Sequence, residues 1–225
     1  MKRLIRDQKG SFILESSLIF PSIFVAILIL LFFCLYLYQN AALGQAAAIA
    51  AERSAYSWDN SYRKPLTGVY ETGKYDSLYW RLKDDGVLQS IFGWSSDLPT
   101  SDLSLPSEPI GDGSGSLSLK KLATTGATIP TAVHGRMQYE NKLLLRKVKV
   151  SLDRLIPLVP LERVVGDVTQ SGWAVSYVVE PAEWIRTVDL ARYYGAKFKG
   201  SGADKMDQKE AGKALMLFGK QGEQP

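Results

Sequence analysis

Glu15 is the residue whose position most demands a chemical explanation. It stands just inside the start of an apolar run that continues to Tyr38. A carboxylate carried unpaired to the middle of a bilayer costs roughly 2.5 kcal/mol or more. Two arrangements relieve that cost. In one, Glu15 stays in the headgroup region as part of a first helical turn, where the macrodipole favours an anion. In the other, a cationic partner meets it.

Residues that usually carry catalysis are sparse. The sole histidine, His134, lies in Ala-Val-His-Gly-Arg with no nucleophile motif beside it, so it reads as a structural or surface residue. The sole cysteine, Cys34, sits between Phe33 and Leu35, which excludes an internal disulfide and points to packing. No Cys or His pair has metal-binding spacing, and Asp84-Asp85 and Asp112-Gly113 are common loop features. Gly111-Asp-Gly-Ser-Gly lacks the Lys and helix of a phosphate-binding loop. The chain is therefore expected not to be an enzyme and to take no cofactor or metal.

The element that must position Glu15 is the apolar run itself. Leu18 to Tyr38 forms a helix of about 31 Å, matched to a hydrocarbon core of about 30 Å. That run is too long for an ordinary cleaved secretory signal, although Ala46-Ala47-Ala48 imitates a cleavage site beyond it. Lys2, Arg3, Arg6 and Lys9 precede the run, opposed only by Asp7, which keeps this end cytoplasmic and sends the rest outward. Tyr36 and Tyr38 suit the outer interface. The net charge of +4 is small and its basic residues are otherwise scattered, so no nucleic-acid contact is expected.

Lys9, Gly10, Ser11, Glu15 and Pro21 have a joint spacing: Gly10-Ser11-Phe12-Ile13-Leu14-Glu15 follows a basic leader, and Pro21 lies six residues past the acid. This pattern resembles the class III prepilin signal, and more tightly that of the TadE-like pseudopilins of tight-adherence (Flp-type) systems. The resemblance covers about the first forty residues. It implies cleavage between Gly10 and Ser11 by a prepilin peptidase, with Glu15 becoming the fifth mature residue. It further implies that the Ser11 amine of one subunit pairs with Glu15 of another. Ser11 departs from the Phe or Met usual in ordinary type IV pilins, which leaves its N-methylation open. The implied partners are other pilin or pseudopilin subunits, the peptidase, the pilus membrane platform and membrane lipid. Pro21 supports family membership; inside the helix it removes one hydrogen bond and favours a kink near Ser17. The competing expectation is an uncleaved signal-anchored protein with an extracytoplasmic binding domain.

Past the membrane, the Ala-rich stretch from Asn40 to Tyr56 continues the helix, with Leu43, Ala47, Ala50 and Ala51 on one face. Trp58 to Ser61 breaks it, and Pro65, Gly68 and Gly73 mark a loop. Leu78, Tyr79, Leu82, Val87, Leu88, Ile91 and Phe92 suggest a short helix capped by Asp76 or Ser77. The segment 93–115 is turn-prone, as a loop or short strand connections. Alternation predicts strands at Leu117 and Leu119, at Met137 and Tyr139, at Leu144 through Leu152, and at Gly172 to Val179. A helix opens at Pro181 and stops at Gly195. Its Pro-x-Glu-Trp-Ile-Arg-x-Val-Asp-Leu-Ala sequence is similar to one recurring in TadE/TadG-like proteins of Gram-positive bacteria. The fold class expected is α+β: a long N-terminal transmembrane and stalk helix, then a small antiparallel-sheet domain with one or two packed helices, pilin-like. The divisions are a leader over 1–10, a membrane helix over 11–38, a stalk over 39–58, an α+β domain over 59–198, and a charged tail over 199–225 that is a marginal helix or disordered.

Overall fold

The fold is that of a computed structural model, which describes residues 9–76, 80–81, 85, 100–110, 115–142, 145–153, 170–199, 207 and 209–213. It opens with helix α1, Lys9–Tyr56, a single 48-residue rod that is about 72 Å long at 1.5 Å per residue. From Glu15 it contains a stretch long and apolar enough to cross a membrane. Pro21 lies inside it; the neighbouring Ser22 hydroxyl donates to the Ile19 carbonyl at 2.7 Å. The predicted break falls where expected: a 3-10 turn at Ser57–Asp59 leads to an extended Asn60, whose amide donates to the Lys74 carbonyl at 2.9 Å.

Among the described residues, four antiparallel strands follow in the spatial order of the chain: β1 (Thr100–Leu105), β2 (His134–Lys142), β3 (Leu145–Asp153) and β4 (Ser171–Tyr177). Helix α2 (Leu117–Gly126) lies between β1 and β2, and α3 (Pro181–Lys199) follows β4. The architecture is α+β, a long apolar helix leading into a small sheet with helices. Alternation sends Leu103, Leu105, Met137, Tyr139, Val148, Val150 and Leu152 to one face of the sheet. That face closes on Leu43, Ala47, Ala50 and Ala51 of α1 and on Leu122 and Ala123 of α2. Trp58 completes the core, stacked on Tyr139 at 4.2 Å between ring centroids. The alanines matter because they let helix and strand backbones approach. At Gly172 a Cβ would lie 2.4 Å from both the Leu43 carbonyl carbon and the Gly44 nitrogen, so only glycine fits.

Several expectations need correction. Leu117 and Leu119 lie in helix α2, not in a strand. The Ser116 hydroxyl accepts from the Leu119 N–H at 3.3 Å and starts the helix, and Leu122 and Ala123 then fall on its buried face. Within the turn-prone 93–115 stretch, 100–105 is a full strand pairing with β2. Helix α3 passes through Gly195 and ends at Lys199; a glycine there costs about 1 kcal/mol against alanine without forcing a stop. Strand β4 exists, but Trp173, Val175 and Tyr177 face outward while Gly172 and Ala174 face the core side. Asp76 receives hydrogen bonds from the Ser61 backbone N–H at 2.8 Å and from the Ser61 hydroxyl. Of the helix expected over 78–92, Trp80 and Arg81 are helical and the other named positions lie outside the described residues, as does Leu144. In the tail, 209–213 is helical, with Ala211 buried.

Candidate functional site

The residues expected to act in processing and assembly all fall at the head of α1. Gly10 and Ser11 lie in its first turn, Glu15 is exposed one turn on, and Pro21 is interior. Side chains from Glu15 to Tyr38 are exposed or half-buried, and Gln39 is the first buried residue after them. Helical backbone at Gly10 and Ser11 means that a protease needing an extended strand there must first unwind the helix locally. Cys34 is exposed on the same apolar surface. The structure therefore brings Gly10, Ser11, Glu15 and Pro21 onto one rod and holds them away from the folded domain.

The domain contains a second, unanticipated constellation. Asp85 is fully buried, and Arg81 and Arg146 are nearly so. Arg81 reaches Asp85 at 3.1 Å and pairs with Glu180; Arg146 reaches Glu180 at 3.2 Å and Asp85 at 4.0 Å. Tyr139 donates its hydroxyl to Asp85 at 3.2 Å, and the Asn141 amide donates to the Asp85 carbonyl at 2.7 Å. Burial pushes the Asp85 carboxyl upward while Arg81 and Arg146 pull it down; burial and the neighbouring Arg146 charge lower Arg81. Burial likewise raises the Tyr139 phenol, which therefore stays a donor. The cluster is a clamp tying β2, β3 and the residue before α3 to Arg81 and Asp85. Buried ions of this kind enforce one geometry more than they add net stability, because desolvation offsets most of the Coulomb gain.

A third pair lies close by. Lys121 of α2 is nearly fully buried and meets Asp76 at 2.6 Å, donates to the Trp58 carbonyl at 2.5 Å, and lies 4.2 Å from the Trp80 ring centroid. Burial lowers its pKa to about 8, against the upward pull of Asp76. None of these groups forms a nucleophile and base pair. His134 is exposed at the start of β2, in register with Asp153. Among the described residues no group of three His, Cys, Asp or Glu converges as metal ligands would.

Asp84-Asp85 carries no motif that marks the clamp in the sequence. The available signals were the i,i+4 spacing of Arg81 and Asp85 and the position of Glu180 directly before the helix-opening Pro181. No protein-family model, curated protein or solved structure matches the chain.

Proposed function

We propose that this chain is a TadE-like pseudopilin, a minor subunit or assembly component of a bacterial type IV-like (Tad/Flp) pilus or secretion apparatus. The observation that carries the reading is one uninterrupted helix that begins with Glu15 at the head of an exposed apolar stretch and ends as the backbone of a sheet domain. A rod of this kind anchors a precursor in the bilayer and then offers the same apolar surface to neighbouring helices. In this reading the leader 1–10 is cytoplasmic, the sheet domain is extracytoplasmic, and a prepilin peptidase cuts between Gly10 and Ser11.

Cleavage has a specific electrostatic consequence. It removes the basic leader and creates an ammonium at Ser11, one turn from Glu15. Within a bundle of such helices, the Glu15 carboxylate of one subunit meets the Ser11 ammonium of the next, and the desolvation of each charge is offset by the other. Pairing of that kind fixes axial register, which uniform apolar packing does not. Sheet domains then sit on the outside of the bundle, where they contact other subunits or the membrane platform.

N-terminal sequencing of the protein from cells with and without the peptidase tests this directly. A start at Ser11 only where the peptidase is present supports the pseudopilin. Retention of Met1 in both strains replaces it with an uncleaved signal-anchored protein whose outer domain binds a partner.

A further inference from the structure

The ion pair between Lys121 and Asp76 differs from its counterparts in what water can do to it. Lys74–Glu71 and Lys147–Glu140 have side chains between 23% and 72% exposed, so solvent stabilises both charges. In the Arg81–Asp85 cluster the base is a guanidinium, which stays protonated and is no nucleophile. Lys121 and Asp76 meet at 2.6 Å with side chains 2% and 3% exposed, and here the base is an amine. Trp58 and Trp80 wall the site, their ring centroids 5.9 and 4.2 Å from the lysine nitrogen. Burial lowers the Lys121 pKa to about 8, toward the neutral amine; Asp76 and Asp59 pull it up, and Arg81 pushes it down.

The contacts around the pair are those that an acyl transfer needs. The Asp76 carboxyl receives the Ser61 backbone N–H on Oδ2 at 2.8 Å and the Ser61 hydroxyl on Oδ1. Two donors on one carboxyl polarise its carbon and hold the negative charge that an attacking nitrogen drives onto oxygen. On the other side the Trp58 carbonyl accepts from Lys121 Nζ at 2.5 Å and keeps the nitrogen against the carboxyl. A nucleophile held in this way reaches an effective concentration of about 10⁵ M or more. Condensation, which bulk water reverses, is then favoured, because the site also shuts water out.

We infer that Lys121 and Asp76 condense to an isopeptide bond, a covalent tie between the loop after α1 and helix α2. Nζ passes one proton to Oδ2 along their hydrogen bond, which turns ammonium and carboxylate into amine and acid. Nζ then bonds to Asp76 Cγ, and Oδ1 takes the charge, held by the Ser61 hydroxyl. A second proton moves from nitrogen to Oδ2, the Cγ–Oδ2 bond breaks, and Oδ2 leaves as water. The third proton stays on nitrogen as the amide N–H facing the Trp58 carbonyl, and Oδ1 stays as the amide oxygen facing Ser61. The balance needs no further reactant: ammonium and carboxylate become one amide and one water. The sole cysteine, Cys34, lies in the apolar run, so this amide gives the sheet domain a staple that no disulfide can. The bond is independent of leader cleavage and of assembly. Until it forms the pair is ionic, and the pH response of a buried lysine belongs to that unlinked chain.

Intact-mass measurement of the purified full chain, denatured after folding, tests the bond. The expected mass is about 18 Da below the value its sequence and N-terminus require, and a protease digest contains one branched peptide joining 76 to 121. Lys121→Arg keeps a cation beside Asp76 but no amine, and it is expected at its full mass. Ser61→Ala removes the hydroxyl donor and slows the mass loss at least about tenfold in a time course after synthesis. Full mass in the unaltered chain, with Lys121 open to acetylation once the chain is unfolded, overturns the bond. A loss of about 18 Da that fragmentation places away from 76 and 121, or that persists in Lys121→Arg, overturns it as well. An unchanged rate in Ser61→Ala overturns the part given to that hydroxyl.

Discussion

The two halves of α1 are one continuous helix built for two different solvents. From Glu15 to Tyr38 large apolar side chains point in every direction and none is buried; from Gln39 to Tyr56 the apolar residues are mostly alanine and burial recurs at helical spacing. Lipid rewards a helix for being apolar all round, whereas a protein core rewards one face. The first half therefore has no fixed partner face and suits a bilayer or a bundle of like helices. The second half is committed, because Gly172 and the sheet already occupy its face. Charge follows the same division. The sheet domain buries Lys121, Arg81, Asp85 and Arg146 among their counter-charges, and Glu15 lies on the exposed half of α1.

Substitutions that ignore this division should hurt only the outer half. Leu43→Ala removes a fully buried side chain and is expected to cost about 2–5 kcal/mol in denaturant unfolding of the domain, whereas Leu30→Ala leaves that transition unmoved. Gly172→Ala forces a methyl into the α1 backbone and should cost about 3 kcal/mol by the same measurement. The buried ammonium gives a pH signature. The folded pKa of Lys121, about 8, is below its unfolded value of 10.5, so between these values the unfolded chain holds more protons. Domain stability should then rise with pH through that window, by an amount on the order of 3 kcal/mol, and Lys121→Met should flatten the slope. Smallest is Ser116→Ala, which removes the cap of α2 and lowers stability by about 1 kcal/mol.

What could be read from the sequence followed from how local each cause was. The spanning run, the packing face of Leu43, Ala47, Ala50 and Ala51, the break at Trp58 and the strands through Tyr139 and Val150 all come from periodicity within one segment. Leu117 and Leu119 misled because Ser at 116 and 118 mimics strand alternation, whereas Ser116 serves as a helix cap. Alternation placed β4 correctly, yet it does not say which face is buried. There the close approach of α1 selects Gly172 and Ala174 for the inside and leaves Trp173, Val175 and Tyr177 outside. The buried clamp was illegible for a different reason: Asp85, Arg146 and Glu180 are far apart in sequence and meet only once the sheet has formed.

The proposal that Glu15 sets the register of assembled helices is tested most directly by Glu15→Gln, which keeps size and hydrogen bonding but removes the charge. Both proteins would be expressed with the peptidase present and followed by N-terminal sequencing and by recovery in the sheared filament or cross-linked assembly fraction. The expected result is a chain still cut before Ser11 and at least about tenfold depleted from that fraction, the equivalent of about 1.4 kcal/mol per subunit contact. Recovery of Glu15→Gln at the level of the unaltered chain would contradict it.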